Sequence, residues 1–197
     1  MDIKKHYQDL FKEYGDSPQA TQYSDLITQE LRYKYLTEIG ELNGKAILDF
    51  GCGTAQLATY LKNSDIEFDY IGVDIVPEFL DHSQKKFPEF RFGSYEDFKD
   101  IKVDYIFISG VFNNLIADNR SFYKETIKDL FKNARLGLAF NMISKYVDYY
   151  DLGLFYEYPE YVFKFAKEEV TPLVLLRNDY LIKDNTPPFD FTVYLYR

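Results

Sequence analysis

The sequence predicts an α/β protein with a doubly wound, seven-stranded sheet that is mostly parallel, has an antiparallel last strand and follows N-terminal helices. Three observations support this class. Strand-like apolar runs alternate with helical patterns between residues 44 and 143. A glycine-rich turn joins the first strand to the next helix, and an acidic residue ends the second strand. The length of 197 residues favours one domain, since a domain usually has about 150.

The first 43 residues predict a helical arm. Apolar side chains recur there at helical spacing after Pro18, and Gly40 ends the run. The residues concerned are Leu26, Ile27, Leu31, Leu36 and Ile39. Beyond the arm, the pattern predicts strands at 46–50, 68–73, 90–92, 103–108 and 136–143, and helices at 56–62, 78–87 and 121–132.

The last part of the chain breaks this alternation. A helix is predicted at 158–167, followed by β-rich runs at 172–177 and 189–196. The segment between the two runs is too short for a crossover helix, so we expect the last strand to be antiparallel. Within a single domain, 1–197, we distinguish an arm (1–43), a cofactor-binding core (44–143), an aromatic insertion (144–170) and a C-terminal strand pair (171–197).

Composition excludes several classes of partner. The chain has 23 Lys and Arg against 32 Asp and Glu, a formal charge of −9, and its basic residues lack the clustering typical of nucleic-acid binding. The longest nearly apolar run, 105–112, is far shorter than the roughly 20 residues of a membrane helix. Because Cys52 is the only cysteine, no internal disulfide can form. We expect a cytoplasmic protein with no nucleic acid, membrane or metal partner.

The turn after the first strand is the strongest functional signal. Gly51 and Gly53 leave room for backbone to approach a ligand at the first strand-to-helix turn, the usual ligand position in such sheets. Asp74 ends the second strand, where a carboxylate can accept both hydroxyls of a ribose. The two features predict a nucleoside-containing cofactor.

Two side chains distinguish between such cofactors. The dinucleotide fingerprint requires glycine or alanine at its sixth position, which here is the bulky Gln56. Asp49 precedes the first glycine by two residues, and an anion there suits a cationic ligand better than a pyrophosphate. S-adenosylmethionine has a sulfonium and an ammonium group and no phosphate. A nicotinamide-dependent oxidoreductase is therefore the weaker alternative.

The motifs resemble those of a known family. "ILDFGCGTA" followed by "YIGVDI" is similar to the first two motifs of the class I S-adenosylmethionine-dependent methyltransferases. "FRFGSYEDF" and "DYIFISGVFNNL" lie where that family has its later motifs. The resemblance covers residues 44–143 and implies a Rossmann-like fold, S-adenosylmethionine as cofactor and S-adenosylhomocysteine as product.

The resemblance also implies a role for individual residues. Asp74 would hold the ribose, Ile75 would pack on the adenine, and Arg32 of the arm would meet the cofactor's carboxylate. The adenine amino group would contact one of Tyr95, Glu96 and Asp97, although Ser94 stands where the family commonly has an acid. The methionine part of the cofactor would lie among Asp49, Gly51, Cys52 and Gly53, and the transferred methyl group beside Ser109 and Gly110.

The resemblance indicates a small-molecule acceptor. Family members that methylate amino groups of nucleic acids usually end the fourth strand in D/N-P-P-Y/F, and this chain has no prolines there. The expected activity is methyl transfer to an O or N atom of a small molecule, and the alternative is a non-catalytic binding or sensor protein. Catalytic residues stay unassigned, with four candidates after the strands: Ser109, Asn113, Asn114 and Asn141.

Aromatic residues are unusually abundant, at 19% of the chain. Six of the 19 tyrosines fall between Tyr146 and Tyr161, directly after the fifth strand. Tyrosine provides an apolar wall with a polar tip. We expect the segment to form a lid over the methyl-transfer pocket. The alternatives are a cover of the core or an oligomer interface, and an interface would be compatible with a homodimer.

Overall fold

The computed structural model describes residues 2–197. Seven strands and seven α-helices alternate along most of the chain, with a 3₁₀ helix at Pro18–Thr21. The helices are α1 (Ile3–Tyr14), α2 (Leu26–Thr37), α3 (Gln56–Lys62), α4 (Pro77–Lys86), α5 (Tyr95–Phe98), α6 (Asn119–Phe131) and α7 (Pro159–Glu169). The strands are β1 (Lys45–Phe50), β2 (Phe68–Val73), β3 (Arg91–Gly93), β4 (Val103–Ile108), β5 (Ala134–Ile143), β6 (Val174–Arg177) and β7 (Asp190–Tyr196).

The strands form one sheet in the order β3-β2-β1-β4-β5-β7-β6. Strands β1 to β5 pair in parallel, and β7 lies antiparallel to both β5 and β6. The predicted doubly wound sheet with an antiparallel last strand is confirmed. The short connection from β6 to β7 makes this return antiparallel, because it has no room for a crossover helix.

Helices cover both faces of the sheet. Neighbouring residues of β1 enter opposite cores, with Leu48 packed on the side of α6 and α7 and Ile47 on the side of α2 and α3. Ile106 and Phe107 divide in the same way on β4. A central strand with both faces buried needs apolar residues at successive positions, which explains the nearly unbroken apolar run of β4.

Helix α2 forms as predicted, but the residues that it buries are not the apolar ones that its sequence pattern indicates. Ile27 is 79% exposed, whereas Gln29 and Arg32 are buried. Arg32 forms an ion pair with Asp190 at the start of β7. This contact between residues far apart in sequence directs a polar side of the helix inward.

No helix within residues 2–197 is long and apolar enough to cross a bilayer.

Candidate functional site

The strand order reverses between β1 and β4, and ligands of open α/β sheets bind at the carboxyl ends of the strands beside such a reversal. The turn after β1 lies at this point. Gly51 and Gly53 have φ values of +78° and +54°, in the left-handed region that favours glycine. The structure thus places the predicted glycine turn beside the strand reversal, with the Val111 side chain packed against Gly51.

Asp49 lies near the end of β1 and is only 3% exposed. Burial raises the pKa of this carboxyl to about 7, with a smaller contribution from the nearby Asp74, although a hydrogen bond from Tyr70 acts in the opposite direction. The Tyr70 hydroxyl donates to Asp49 Oδ2 at 2.6 Å. The side chain can therefore change charge near neutral pH, and a cationic ligand would favour its ionised form.

Asp74 connects the end of β2 to the glycine turn. Its Oδ2 accepts the Gly53 N–H at 2.9 Å, and its Oδ1 accepts the Val76 N–H at 2.9 Å. Burial raises the pKa of Asp74, against the lowering effect of these backbone donors. The adjacent Ile75 is 59% exposed at the same edge of the sheet, although it is apolar. The contacts of Asp74 with the ribose and of Ile75 with the adenine stay predictions.

The residues after β3 have partners within the protein. Asp97 closes a capping box with Ser94, accepting its N–H at 2.8 Å and its hydroxyl at 2.7 Å. Glu96 binds the Lys99 ammonium group at 2.8 Å. The third candidate, Tyr95, donates its hydroxyl to Asp129 of α6 at 2.7 Å. The adenine contact among Tyr95, Glu96 and Asp97 stays a prediction.

Polar groups converge at the end of β4. The Gly110 N–H donates to Asn141 Oδ1 on β5 at 2.8 Å, and the hydroxyls of Tyr23 and Ser109 lie 3.0 Å apart. A Cβ atom on Gly110, whose φ is +73°, would lie only 2.8 Å from the Tyr23 hydroxyl oxygen. The structure therefore brings Ser109, Gly110 and Asn141 together with a tyrosine of the arm.

The two adjacent asparagines after β4 have different surroundings. The Asn114 side-chain amide donates to the Tyr7 hydroxyl at 2.8 Å and to Gln22 Oε1 at 2.9 Å. Asn114 thus connects the loop after β4 to two residues of the arm by hydrogen bonds. Asn113 lies against Gly110, with its Nδ2 at 3.7 Å from where a Cβ atom of that glycine would be.

The arm crosses the carboxyl ends of the strands. The Thr21 methyl group lies over Gly53, at 2.7 Å from the position that a Cβ atom would occupy there. Asp16 contacts the Lys86 ammonium group at 3.0 Å and His82 Nε2 at 3.2 Å, both on α4. Sequence reasoning missed Thr21 and Asp16 as site residues, because single polar residues in an irregular segment have no periodicity or motif.

Arg32 has a partner within the chain. Its guanidinium group forms the ion pair with Asp190 and donates to the Thr28 carbonyl at 2.9 Å. It also stacks over the Tyr23 ring, with 5.2 Å between Cζ and the ring centroid. The contact between Arg32 and the cofactor's carboxylate stays a prediction, and Asp190 was not foreseen.

The aromatic segment is attached to the loop after β4. The Leu115 N–H donates to the Gly153 carbonyl at 2.9 Å, and the Phe155 N–H donates to the Asn113 carbonyl at 2.8 Å. Tyr156 is buried, whereas four other tyrosines of the segment are exposed: Tyr146, Tyr149, Tyr150 and Tyr158. A cavity of about 420 Å³ lies between this segment and the start of α6, beside Arg120 and Glu157.

Comparisons with known proteins show the family of this chain. A family model described as a methyltransferase domain matches residues 48–136. A Mycobacterium tuberculosis protein provisionally named methyltransferase Rv1506c is 30% identical over 146 residues, which cover 68% of this chain and 86% of that protein.

Solved structures share the fold over nearly the whole chain. Magnesium protoporphyrin IX methyltransferase from Synechocystis PCC 6803 with bound S-adenosylmethionine superposes with a TM-score of 0.70 at 15% identity, covering 100% of this chain and 98% of that one. A methyltransferase from Aquifex aeolicus, also named as dependent on S-adenosylmethionine, gives 0.62 at 17% identity, covering 96% and 97%. The chain therefore belongs to the class I S-adenosylmethionine-dependent methyltransferases.

Proposed function

We propose that this methyltransferase binds S-adenosylmethionine at the turn after β1 and methylates an O or N atom of a small molecule. The observation that carries the proposal is a pair of acids at the ends of β1 and β2, of which Asp49 is buried and Asp74 is half-buried. Asp49 and Asp74 lie on either side of the glycine turn, and Asp74 accepts the Gly53 N–H at 2.9 Å. An anionic turn suits a cationic nucleoside better than a phosphate-containing one.

The residues present fit this cofactor. Asp49 would face its charged methionine part beside Gly51, Cys52 and Gly53, and Asp74 would accept hydrogen bonds from the ribose. The exposed Ile75 offers the apolar surface that an adenine ring needs. When bound, S-adenosylmethionine supplies an electrophilic methyl group and leaves as S-adenosylhomocysteine, the two ligands found in the Synechocystis structures.

The acceptor would lie over β4 and β5, on the other side of the strand reversal from Asp74. The polar side chains there, Ser109, Asn113 and Asn141, would orient the acceptor atom toward the methyl group. Positioning two reactants in line within a pocket without water can provide much of the acceleration of such a displacement. A cavity of about 420 Å³ nearby has the size of small-molecule sites.

Several finer expectations belong to this proposal. The net charge of −9 supports a small-molecule acceptor over a nucleic acid. We also propose, from the sequence pattern, a cytoplasmic location and the division into arm, core, aromatic insertion and strand pair. For the aromatic insertion, a lid and a dimer interface stay alternatives.

Ligand binding and turnover test the proposal separately. We expect S-adenosylhomocysteine to raise the melting temperature and NAD to leave it unchanged, because Gln56 and Asp49 disfavour a pyrophosphate. Stabilisation by NAD alone would contradict the cofactor assignment. Formation of S-adenosylhomocysteine with a panel of hydroxyl and amine acceptors then tests catalysis. Cofactor binding without turnover of any acceptor would favour the alternative of a sensor protein.

A further inference from the structure

Two side-chain amides beside Gly110 have unused hydrogen-bonding groups. Asn141 is 1% exposed, and its Nδ2 has no hydrogen-bond partner among residues 2–197. Asn113 Oδ1 is also shielded from solvent and has no partner in the same part of the chain. A buried polar atom without a partner is unfavourable, so this pair is suited to a ligand that completes its hydrogen bonds.

The orientation of the Asn141 amide follows from its other contact. Asn141 Oδ1 accepts the Gly110 N–H at 2.8 Å, so the atom left unpartnered is the donor Nδ2. Asn113, whose Nδ2 also lies close to Gly110, leaves an acceptor oxygen. The two free groups are therefore complementary, because one donates and the other accepts.

The Asn113–Asn141 pair lies on the acceptor side of the site. Asp74 belongs to the β3-β2-β1 half of the sheet, whereas Asn113 and Asn141 follow or lie on β4 and β5. Tyr23 and Ser109, which border the pair, already contact each other at 3.0 Å. That hydrogen bond uses one of the two hydroxyl protons, whereas Asn113 Oδ1 and Asn141 Nδ2 are buried atoms without any partner in residues 2–197.

We propose that the Asn113–Asn141 pair binds the hydroxyl group of the methyl acceptor, with Asn141 donating a hydrogen bond to its oxygen and Asn113 accepting a hydrogen bond from it. A hydroxyl both donates and accepts, whereas a carboxylate only accepts and an ammonium group only donates. Aliphatic amines are protonated at neutral pH and do not fit both groups. The proposal rests on the proposed function, refines its acceptor class to alcohols or phenols, and concerns binding and orientation.

Fragment binding to the protein saturated with S-adenosylhomocysteine tests the pair. Calorimetry first establishes that S-adenosylhomocysteine binds; failure at this step would refute the proposed function. Saturation-transfer NMR then compares phenol, benzoate and benzylammonium. We expect phenol to bind at least tenfold more tightly than the other two, about the effect of one unmatched hydrogen bond. Equal binding of the three fragments, or no binding of phenol, would overturn the proposal.

Matched substitutions locate the contact. Asn141→Asp keeps the oxygen that accepts the Gly110 N–H and removes the free donor, so phenol should bind roughly tenfold more weakly at high pH. Phenol binding should recover as the pH falls, since a protonated carboxyl donates again. Asn113→Asp keeps an acceptor and should bind phenol, whereas Asn113→Leu should not. The exposed Asn63→Ala serves as control.

Two results would contradict the assignment. Binding of phenol to all variants with the wild-type affinity would place phenol elsewhere. The second result is a lower affinity for S-adenosylhomocysteine itself in the Asn113 and Asn141 variants, with phenol binding unchanged. The pair would then hold the cofactor's amino-acid part rather than the acceptor.

Discussion

The Tyr70 hydroxyl donates a 2.6 Å hydrogen bond to Asp49 Oδ2, and both side chains are buried beneath the glycine turn. Burial raises the pKa of Asp49 to about 7. A cationic ligand binds the ionised carboxyl better than the neutral one. The affinity for S-adenosylmethionine should therefore increase between about pH 6 and about pH 8, as calorimetry would measure.

Asp49→Asn should abolish this pH dependence and leave the affinity near its low-pH value. Tyr70→Phe should move the midpoint to higher pH, because the lost hydrogen bond favours the ionised carboxyl. A pH profile unchanged in Asp49→Asn would assign the titration to another group.

The same carboxyl affects stability with a definite sign. Its pKa is higher in the folded protein than the usual value of about 3.9, so the folded state binds the extra proton between these two values. Without ligand, the contribution of Asp49 to the free energy of unfolding should fall as the pH rises from about 4 to about 7, and then level off. Urea unfolding across this range, compared with Asp49→Asn, measures the difference.

Asp74→Ala should destabilise the protein as well as weaken cofactor binding. The Gly53 and Val76 N–H groups would lose their acceptor, at a cost of about 1–3 kcal/mol in the free energy of unfolding. Asp69→Ala, at an exposed position of the same strand, should change stability by less than about 0.5 kcal/mol. Equal urea midpoints for the two variants would contradict a structural role for Asp74.

Arg120→Ala tests the ion pair beside the aromatic segment. Glu157 is 1% exposed and accepts from Arg120 Nε at 2.7 Å and Nη2 at 3.0 Å. Removing the guanidinium group leaves a buried carboxylate without its charged partner. We expect the free energy of unfolding to fall by about 2 kcal/mol. This is less than the usual cost for a fully buried pair, because Arg120 is half-exposed.

Lys132→Ala is the matched control for this variant. Lys132 forms an exposed ion pair with Asp129 at the end of the same helix, and this pair should contribute less than about 0.5 kcal/mol to the free energy of unfolding. If urea unfolding gives similar losses for both variants, the buried position of Glu157 has no energetic consequence.

Asn114→Ala should release the arm from the sheet. Its amide makes the hydrogen bonds to Tyr7 and Gln22, so without it the arm should open more often while the sheet stays folded. Limited proteolysis should cleave the arm faster than in the wild type or in the control Asn63→Ala. Cleavage at an unchanged rate would show that other contacts, such as Asp16 with Lys86, are sufficient.

The local sequence determined the architecture and the position of the glycine turn within it. The apolar run of β4 specifies a strand buried on both faces, and the short β6–β7 connection specifies an antiparallel return. The motif around Gly51 and Gly53, with Asp74 after the next strand, locates the ligand edge, because the groups lie within a contiguous strand–turn–helix unit and the strand that follows it.

Only the tertiary structure decided which side chains meet across that edge. Arg32 contacts Asp190, which is 158 residues away in the chain. Asn114 contacts Tyr7, which is 107 residues away. Such contacts depend on how the arm packs over the sheet, and no local pattern specifies a partner at that distance. The same holds for Asn113 and Asn141. The sequence places both near strand ends, but only the packing around Gly110 leaves Asn141 Nδ2 and Asn113 Oδ1 buried without partners in residues 2–197.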